Sequence, residues 1–229
     1  MFIGHYAPAL VAATSPRAQR LGPLFIAAQL VDIAFFAFVL LGVEHMRAVP
    51  GFTAMNAMDL YDMRFTHSLI GALGFAAAWA AGTRLLGGGW PAAAIGAAVV
   101  ASHWLLDLIV HAPDLTLLGS GARYGLALWN HPAIEMPLEL ALTGGALLFY
   151  ASRTVATGGA GRLSLAALAI ALFALQAVNW LQPQPAAIVD PVPASQPLLA
   201  LFAYALFSAL AFWVARTRTA KGGPRVRLV

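Results

Sequence analysis

Cysteine is absent from this chain of 229 residues, so neither disulfide bonds nor thiol chemistry contribute to its fold or function. Charge is also scarce, because only 10% of the residues are charged whereas a soluble domain carries about 25%. The first residues, MFIGHYAPAL, lack a basic region and are not expected to act as a signal peptide. With 61% hydrophobic residues, the composition predicts an integral membrane protein, with membrane lipid and not nucleic acid as its partner.

Six long apolar segments each approach the roughly 20 residues that a membrane-spanning helix needs. They cover residues 21–43, 67–86, 90–111, 132–152, 163–181 and 198–215. A shorter apolar segment, residues 2–14, would reach only partway across a bilayer as a helix. We therefore expect an all-α, polytopic membrane protein with about six transmembrane helices and a short N-terminal half-helix. A single domain would cover residues 1–215, and residues 216–229 would form a basic, disordered tail.

Basic residues are distributed unequally between the alternate loops that these segments define. Of the 13 lysines and arginines, all but Arg47, Arg64 and Arg123 lie in one set of loops and in the C-terminal tail. The positive-inside rule places that set in the cytoplasm. The loops 44–66 and 112–131 and the proline-rich stretch QPQPAAIVDPVPASQP are then expected on the outer side of the membrane.

Ionisable residues inside the apolar segments are few and concentrate in the first part of the chain. They and their close neighbours are His5, Asp32, His67, His103, Asp107, His111, His131, Glu135 and Glu139. In SHWLLDLIVH, the residues His103, Asp107 and His111 are spaced i, i+4 and i+8, so they share one helix face. A carboxylate or imidazole in hydrocarbon costs several kcal/mol unless it is paired, hydrated or ligated. The pattern predicts a polar cavity that opens toward the outer side.

Histidine and carboxylate side chains are the usual ligands of zinc or manganese when cysteine is absent. The histidines and carboxylates of this set are therefore candidate metal ligands. So many candidate ligands on several elements suggest one to three divalent ions, most of all zinc. In hydrolytic enzymes, pairs of such ions stabilise phosphoryl oxygens. Glu44, His45 and Glu139 are expected to support the ligands. Arg64 and Arg123, rare basic groups on the outer side, are expected to bind a substrate phosphate.

Four motifs carry a family resemblance. GHYAPAL, the aspartate of VDIAFF, FTHSLIGAL and SHWLLDLIV occur in this order. They resemble the YdjM-like inner-membrane metal-dependent hydrolases of bacteria, a family similar to zinc-dependent phospholipase C and the single-strand-specific nucleases. The resemblance covers roughly residues 1–139, where we expect the metal-site core. It implies a multi-pass protein of the bacterial cytoplasmic membrane, with the C-terminal tail in the cytoplasm.

The resemblance also implies how the ligands are shared between ions. Asp32, His67, His103 and Asp107 would hold one metal. A second would be held by His111, His131 and Glu135, and His5 with Asp107 would contribute to a third. The family pattern has an acid where this chain has Ala34 and a histidine where it has Asp62.

These motifs imply a membrane-embedded hydrolase of phosphoester bonds in lipid or lipid-linked substrates. Asp107 and Asp32 are the expected catalytic residues, which bridge metals or orient the attacking water. One alternative is a metal transporter that uses the same ligands as an ion path. Another is a non-catalytic membrane protein, in which the histidine–carboxylate pairs lock or cap helices and the outer-loop residues are simply solvated. Few polar residues lie on the inner halves of the spans, which favours a closed site over an ion path.

Overall fold

The computed structural model of the protein describes residues 1–221, and this part of the chain is mostly helical. Its helices are α1 (Tyr6–Ala12), α2 (Leu21–Ala28), α3 (Leu30–Leu41), α4 (Leu69–Leu85), α5 (Trp90–Val110), α6 (Pro132–Arg153), α7 (Gly159–Leu181) and α8 (Ser195–Thr217). Short 3₁₀ turns, Ile3–His5 and Leu128–Asn130, precede α1 and α6.

Four of these helices, α5 to α8, have 21 to 23 residues and are apolar enough to cross a membrane. The bent pair of α2 and α3 can supply a fifth span. Helix α4 has 17 residues, which corresponds to about 26 Å at the usual helical rise. A helical protein with four or five possible membrane spans is therefore present, whereas the predicted six are not all established.

The first predicted span, residues 21–43, is not one continuous helix. It breaks at Gln29, whose φ of −109° and ψ of 11° are not helical, and α2 and α3 meet at a bend of 53°. The amide Nε2 of Gln29 donates to the carbonyl of Phe2 at 3.1 Å. The break is invisible in the hydropathy pattern because apolar residues continue on both sides of it.

The short N-terminal segment is helical and lies inside the bundle. Ile3, Tyr6, Ala9 and Leu10 are fully buried. Helix α1 packs against α2, α5 and α6, and the large buried rings of Tyr6 and Phe25 stack at 4.4 Å between centroids. This half-helix is thus part of the core, where it brings the neighbouring His5 among the longer helices.

The loops contain short antiparallel strand pairs that the all-α prediction did not include. They are β1 (His45–Ala48) with β2 (Met58–Asp62), β3 (Leu115–Thr116) with β4 (Arg123–Tyr124), and β5 (Thr154–Ala156) with β6 (Arg218–Ala220). Isolated bridges join Ala48 to Val189 and Ser68 to Thr116. The loops predicted on one side of the membrane therefore contact each other.

The beginning of the predicted disordered tail is ordered. Helix α8 continues to Thr217, and β6 then pairs with β5. The guanidinium of Arg218 donates to the Thr154 hydroxyl at 2.9 Å and to the carbonyl of Gly161 at 3.1 Å. Residues 216–221 are therefore anchored to the ends of α6 and α7, and the rest of the predicted tail lies outside the described residues.

Candidate metal centre

Asp107 on α5 lies at the centre of a cluster of histidines. Its Oδ1 is 3.0 Å from Nε2 of His5, 3.5 Å from Nε2 of His111 and 3.2 Å from the nitrogen of Met1. Its Oδ2 is 3.0 Å from Nε2 of His103 and 3.7 Å from Nε2 of His67. The two carboxylate oxygens thus face two different sets of imidazoles.

Asp32 on α3 supplies a second carboxylate to the same cluster. Its Oδ1 is 3.2 Å from Nε2 of His67 and 3.4 Å from Nε2 of His103. Its Oδ2 accepts the hydroxyl hydrogen of Tyr204, on α8, at 2.9 Å. Tyr204 therefore holds one carboxylate oxygen and leaves the other directed at the two imidazoles.

Local structure explains how these side chains converge. Helix α5 carries His103 and Asp107 one turn apart, and His111 caps its C-terminal end. His67 directly precedes Ser68, the N-cap of α4, whose hydroxyl accepts the amide hydrogen of Gly71 at 3.1 Å. Asp32 lies in the first turn of α3, so the break at Gln29 sets the direction from which it enters the cluster.

The cluster is buried almost completely. His5, His67, His103, Asp107 and His111 are between 1% and 3% exposed, whereas the side chain of Asp32 is 15% exposed. Asp32 is therefore the least buried member of the cluster. The open outward cavity that the sequence predicted is replaced here by a nearly closed site.

In three histidines of the cluster, Nδ1 lies within hydrogen-bond distance of an oxygen atom. Nδ1 of His103 is 2.9 Å from the carbonyl oxygen of Ala28, and Nδ1 of His111 is 3.0 Å from Oδ1 of Asp114. Nδ1 of His67 is 2.9 Å from the hydroxyl of Thr66. A carbonyl or an ionised carboxylate can only accept, so Nδ1 of His103 and of His111 carries the hydrogen. In a neutral ring, Nε2 then has a free lone pair.

The lone pairs of these Nε2 atoms meet carboxylate oxygens, which are also acceptors. Facing acceptors at 3.0 to 3.5 Å repel each other unless a cation lies between them, either a proton or a metal ion. Nε2 of His103 and Oδ2 of Asp107 have no hydrogen-bond partner within residues 1–221. Histidines oriented from behind by an acceptor are typical of metal ligands, so the residues fit a divalent ion.

Two groups have ligand atoms close enough to share an ion. One comprises His5, His103 and Asp107, and the other comprises Asp32, His67 and His103. Within each group, the ligand atoms lie within 4.8 Å of one another. His103 belongs to both groups, so the two possible positions for an ion are neighbours.

Helix α6 contributes less directly than its spacing suggested. His131 is exposed at the N-cap of α6 and belongs to neither group. Glu135 is fully buried, and neither of its carboxylate oxygens has a hydrogen-bond partner in the described part of the chain. The structure therefore brings together six of the eight predicted ligands and leaves out His131 and Glu135.

Glu139 holds the N-terminal turn in place. Its Oε1 accepts the amide hydrogens of Phe2 at 2.6 Å and Gly4 at 3.0 Å. Its Oε2 accepts from Nε2 of Gln176, on α7, at 2.9 Å. Glu139 therefore supports the segment that carries His5, and its expected role beside the metal ligands stays a prediction.

Glu44 and His45 have very different surroundings. Glu44 is fully buried, and its carboxylate accepts the Thr66 hydroxyl at 2.7 Å, so the alternative of a solvated Glu44 is wrong. The ring of His45 is about half exposed, and its Nδ1 is 3.0 Å from Oδ2 of Asp62. Glu44 thus supports His67 through Thr66, whereas His45 belongs to the surface.

The two arginines lie on the surface of the outer loops. Nε of Arg64 donates to Oδ1 of Asp62 at 2.8 Å, and this hydrogen bond holds the pKa of Asp62 below its ordinary value. Arg123 is exposed on β4. Arg64 and Phe65 line an open cavity of about 410 Å³, which the exposed side chain of Leu118 also borders. Ser68, the residue after His67, also lines this cavity.

Sequence reasoning missed several residues that hold the ligands. Asp114 follows His111 by three residues, and Thr66 directly precedes His67, so both were detectable by proximity. Tyr204 lies 172 positions from Asp32, and Ala28 lies 75 positions from His103. No local sequence pattern predicts contacts over such separations.

No protein-family model, curated protein or solved structure matches the chain.

Proposed function

We propose that the protein is a membrane-embedded, metal-dependent hydrolase, with zinc as the first choice of metal. The observation that supports this is the meeting of imidazole lone pairs with the oxygens of Asp32 and Asp107 in a buried cluster. A divalent cation would neutralise the charge of the two carboxylates and remove the repulsion between the facing acceptor atoms. Without a cation, both would be unfavourable in a site that excludes water.

One ion would be held by Asp32, His67, His103 and Oδ2 of Asp107. A second would lie at Oδ1 of Asp107, with His5 and His111 as its histidine ligands. When bound, such ions supply a Lewis acid and lower the pKa of water. Glu135, whose buried carboxylate has no hydrogen-bond partner in the described residues, lies outside both ligand groups, and its place as a ligand stays a prediction.

The chain's own residues divide the remaining work. Asp107 links the two ligand sets through its two oxygens. Asp32 is the least buried member of the cluster, so the substrate would approach from its side. Its Oδ1 would then orient the attacking water. Tyr204 keeps Asp32 in this orientation by its hydrogen bond to Oδ2. The buried histidines exclude bulk water from the other sides.

The proposed substrate is a phosphoester of a lipid or lipid-linked molecule. The cavity lined by Ser68, the residue after His67, combines the guanidinium of Arg64 with the exposed apolar side chains of Phe65 and Leu118. A phosphate next to a hydrocarbon chain matches this combination. Arg123 would make a second contact with the phosphate. The proposed location is the bacterial cytoplasmic membrane, with the C-terminal tail in the cytoplasm.

Elemental analysis of the purified protein, combined with a panel of phosphoester substrates, tests the proposal. We expect the wild type to retain zinc and to hydrolyse at least one substrate, and Asp107→Ala to lose both. Asp190→Ala is the matched control, because Asp190 is an exposed acid in an outer loop. A wild type without bound metal, and with unchanged stability in chelator, contradicts the proposal. Zinc uptake into proteoliposomes that His103→Ala abolishes would favour a transporter instead.

A further inference from the structure

We propose that Glu44 and Thr66 form a relay that fixes the tautomer of His67, so that Nε2 of His67 presents its lone pair to Asp32. The relay makes Thr66 and Glu44 positioning residues. Its consequence for metal binding rests on the proposed function, whereas the tautomer itself is a property of the metal-free protein.

Glu44 is a fully buried carboxylate with three hydrogen-bond donors around it. Its Oε1 accepts the amide hydrogens of Phe65 at 2.7 Å and Thr66 at 2.9 Å. Its Oε2 accepts the hydroxyl hydrogen of Thr66 at 2.7 Å. The two amide contacts require Glu44 to act as an acceptor, and an ionised carboxylate also accepts the hydroxyl hydrogen of Thr66.

The hydroxyl of Thr66 has a single hydrogen, and Glu44 receives it. Oγ1 of Thr66 can then only accept from Nδ1 of His67, which lies 2.9 Å away. His67 therefore carries a hydrogen at Nδ1, and in the neutral ring Nε2 has the free lone pair. That Nε2 atom is 3.2 Å from Oδ1 of Asp32 and 3.7 Å from Oδ2 of Asp107, so its lone pair faces the centre of the cluster.

The position of the relay in the fold makes it rigid. Glu44 follows Gly42, which ends α3 in the left-handed conformation at a φ of 67°. Thr66 is fully buried directly before the N-cap of α4. Glu44 thus connects the end of the helix that carries Asp32 with the turn that carries His67, and it fixes the ring of His67 relative to Asp32.

A purely structural role for Glu44, as a clamp on the turn, is the competing explanation. Three substitutions separate the two roles. Thr66→Val keeps the shape and the backbone bonds of Glu44 but removes the hydroxyl, and Thr66→Ser keeps the hydroxyl. Glu44→Gln keeps acceptor capacity for the backbone amides, while its new NH₂ group can donate to Oγ1 of Thr66.

Long-range ¹H–¹⁵N spectra of metal-free protein with ¹⁵N-labelled histidine test the tautomer, with the His67 signals assigned from their loss in His67→Asn. We expect Nδ1–H in the wild type and in Thr66→Ser, and a mixture of tautomers in Thr66→Val. Glu44→Gln should invert the tautomer, because the hydroxyl hydrogen is then free to point at Nδ1. An Nε2–H tautomer in the wild type, or no inversion in folded Glu44→Gln, overturns the relay.

Zinc affinity, measured by competition with a chelating dye, is the second readout. We expect Thr66→Val to weaken zinc binding about 10-fold to 100-fold, the usual effect of losing the group that orients a ligand, and Thr66→Ser to restore it. Equal affinity in the wild type and Thr66→Val overturns the relay but leaves the proposed function standing. A wild type that binds no zinc contradicts the proposed function, and the spectra still decide the tautomer.

Discussion

His67, His103 and His111 are each oriented by a different kind of acceptor: a hydroxyl, a backbone carbonyl and a carboxylate. The acceptor fixes which ring nitrogen carries the hydrogen and therefore which nitrogen is free to act as a ligand. Only the carbonyl is beyond the reach of side-chain substitution. The contribution of the other two acceptors can be measured one residue at a time.

Asp114→Asn tests the acceptor behind His111. The amide is a weaker acceptor than the carboxylate, so the Nε2 atom of His111 becomes a poorer ligand. We expect a zinc affinity about 10-fold lower, measured by dye competition. The exposed Asp190→Asn is the control and should not change the affinity. Equal affinities in all three proteins would show that Asp114 does not act on the site.

At the scale of elements, the break between α2 and α3 shapes the site. The last carbonyls of a helix lack an intrahelical partner, and the carbonyl of Ala28 at the end of α2 accepts from His103 instead. The same break directs Asp32, in the first turn of α3, toward His67. A continuous helix over this span would engage the Ala28 carbonyl internally.

The start of α4 is a second element on which the site depends. A Cβ atom added at Gly71 would lie 1.8 Å from the carbonyl oxygen of Phe65, which is part of the turn that carries His67. A Cβ atom at Gly74, one turn further along the same helix, meets no atom within 4 Å. The two glycines therefore form a matched pair.

Gly71→Ala is expected to displace the turn before α4, and so to lower both the melting temperature and the zinc content of the protein. Gly74→Ala should leave zinc content unchanged and stabilise α4 by up to about 1 kcal/mol, the difference in helix propensity between the two residues. Thermal unfolding in detergent and elemental analysis measure these effects. Identical behaviour of the two variants would refute the dependence of the site on this turn.

For the whole molecule, the strand pairs and isolated bridges join loops at the same end of the helix bundle. The loop after α3 bridges to the loop between α7 and α8, and β5 between α6 and α7 pairs with β6 after α8. This arrangement is the one that alternating membrane spans produce. Which of the two sides faces the cytoplasm stays a prediction from the distribution of basic residues.

Cysteine labelling tests this orientation, and the natural chain gives no background because it has no cysteine. Ser120→Cys lies on the predicted outer side and Thr157→Cys on the predicted cytoplasmic side, and both positions are exposed. We expect a membrane-impermeant maleimide to label Ser120→Cys in intact bacterial cells and Thr157→Cys only after lysis. The opposite pattern would reverse the assigned orientation.

The sequence by itself predicted helices that could cross a membrane, the approximate ends of α5 to α8 and the shared face of His103 and Asp107. These features depend on composition and on helical periodicity, which act between residues close in the chain. The sequence also singled out Asp32 and His67, although their role as metal ligands stays a prediction.

Tertiary structure alone decided which atoms meet. It bent the first span at Gln29, excluded the exposed His131 from the cluster, and placed Tyr204 against Asp32 and Glu44 behind His67 through Thr66. Spacing along a helix fixes the face that a residue occupies, but the partner across that face depends on how separate helices pack. For that physical reason, the ligand stripe of α5 was readable in the sequence and the groups that orient the ligands were not.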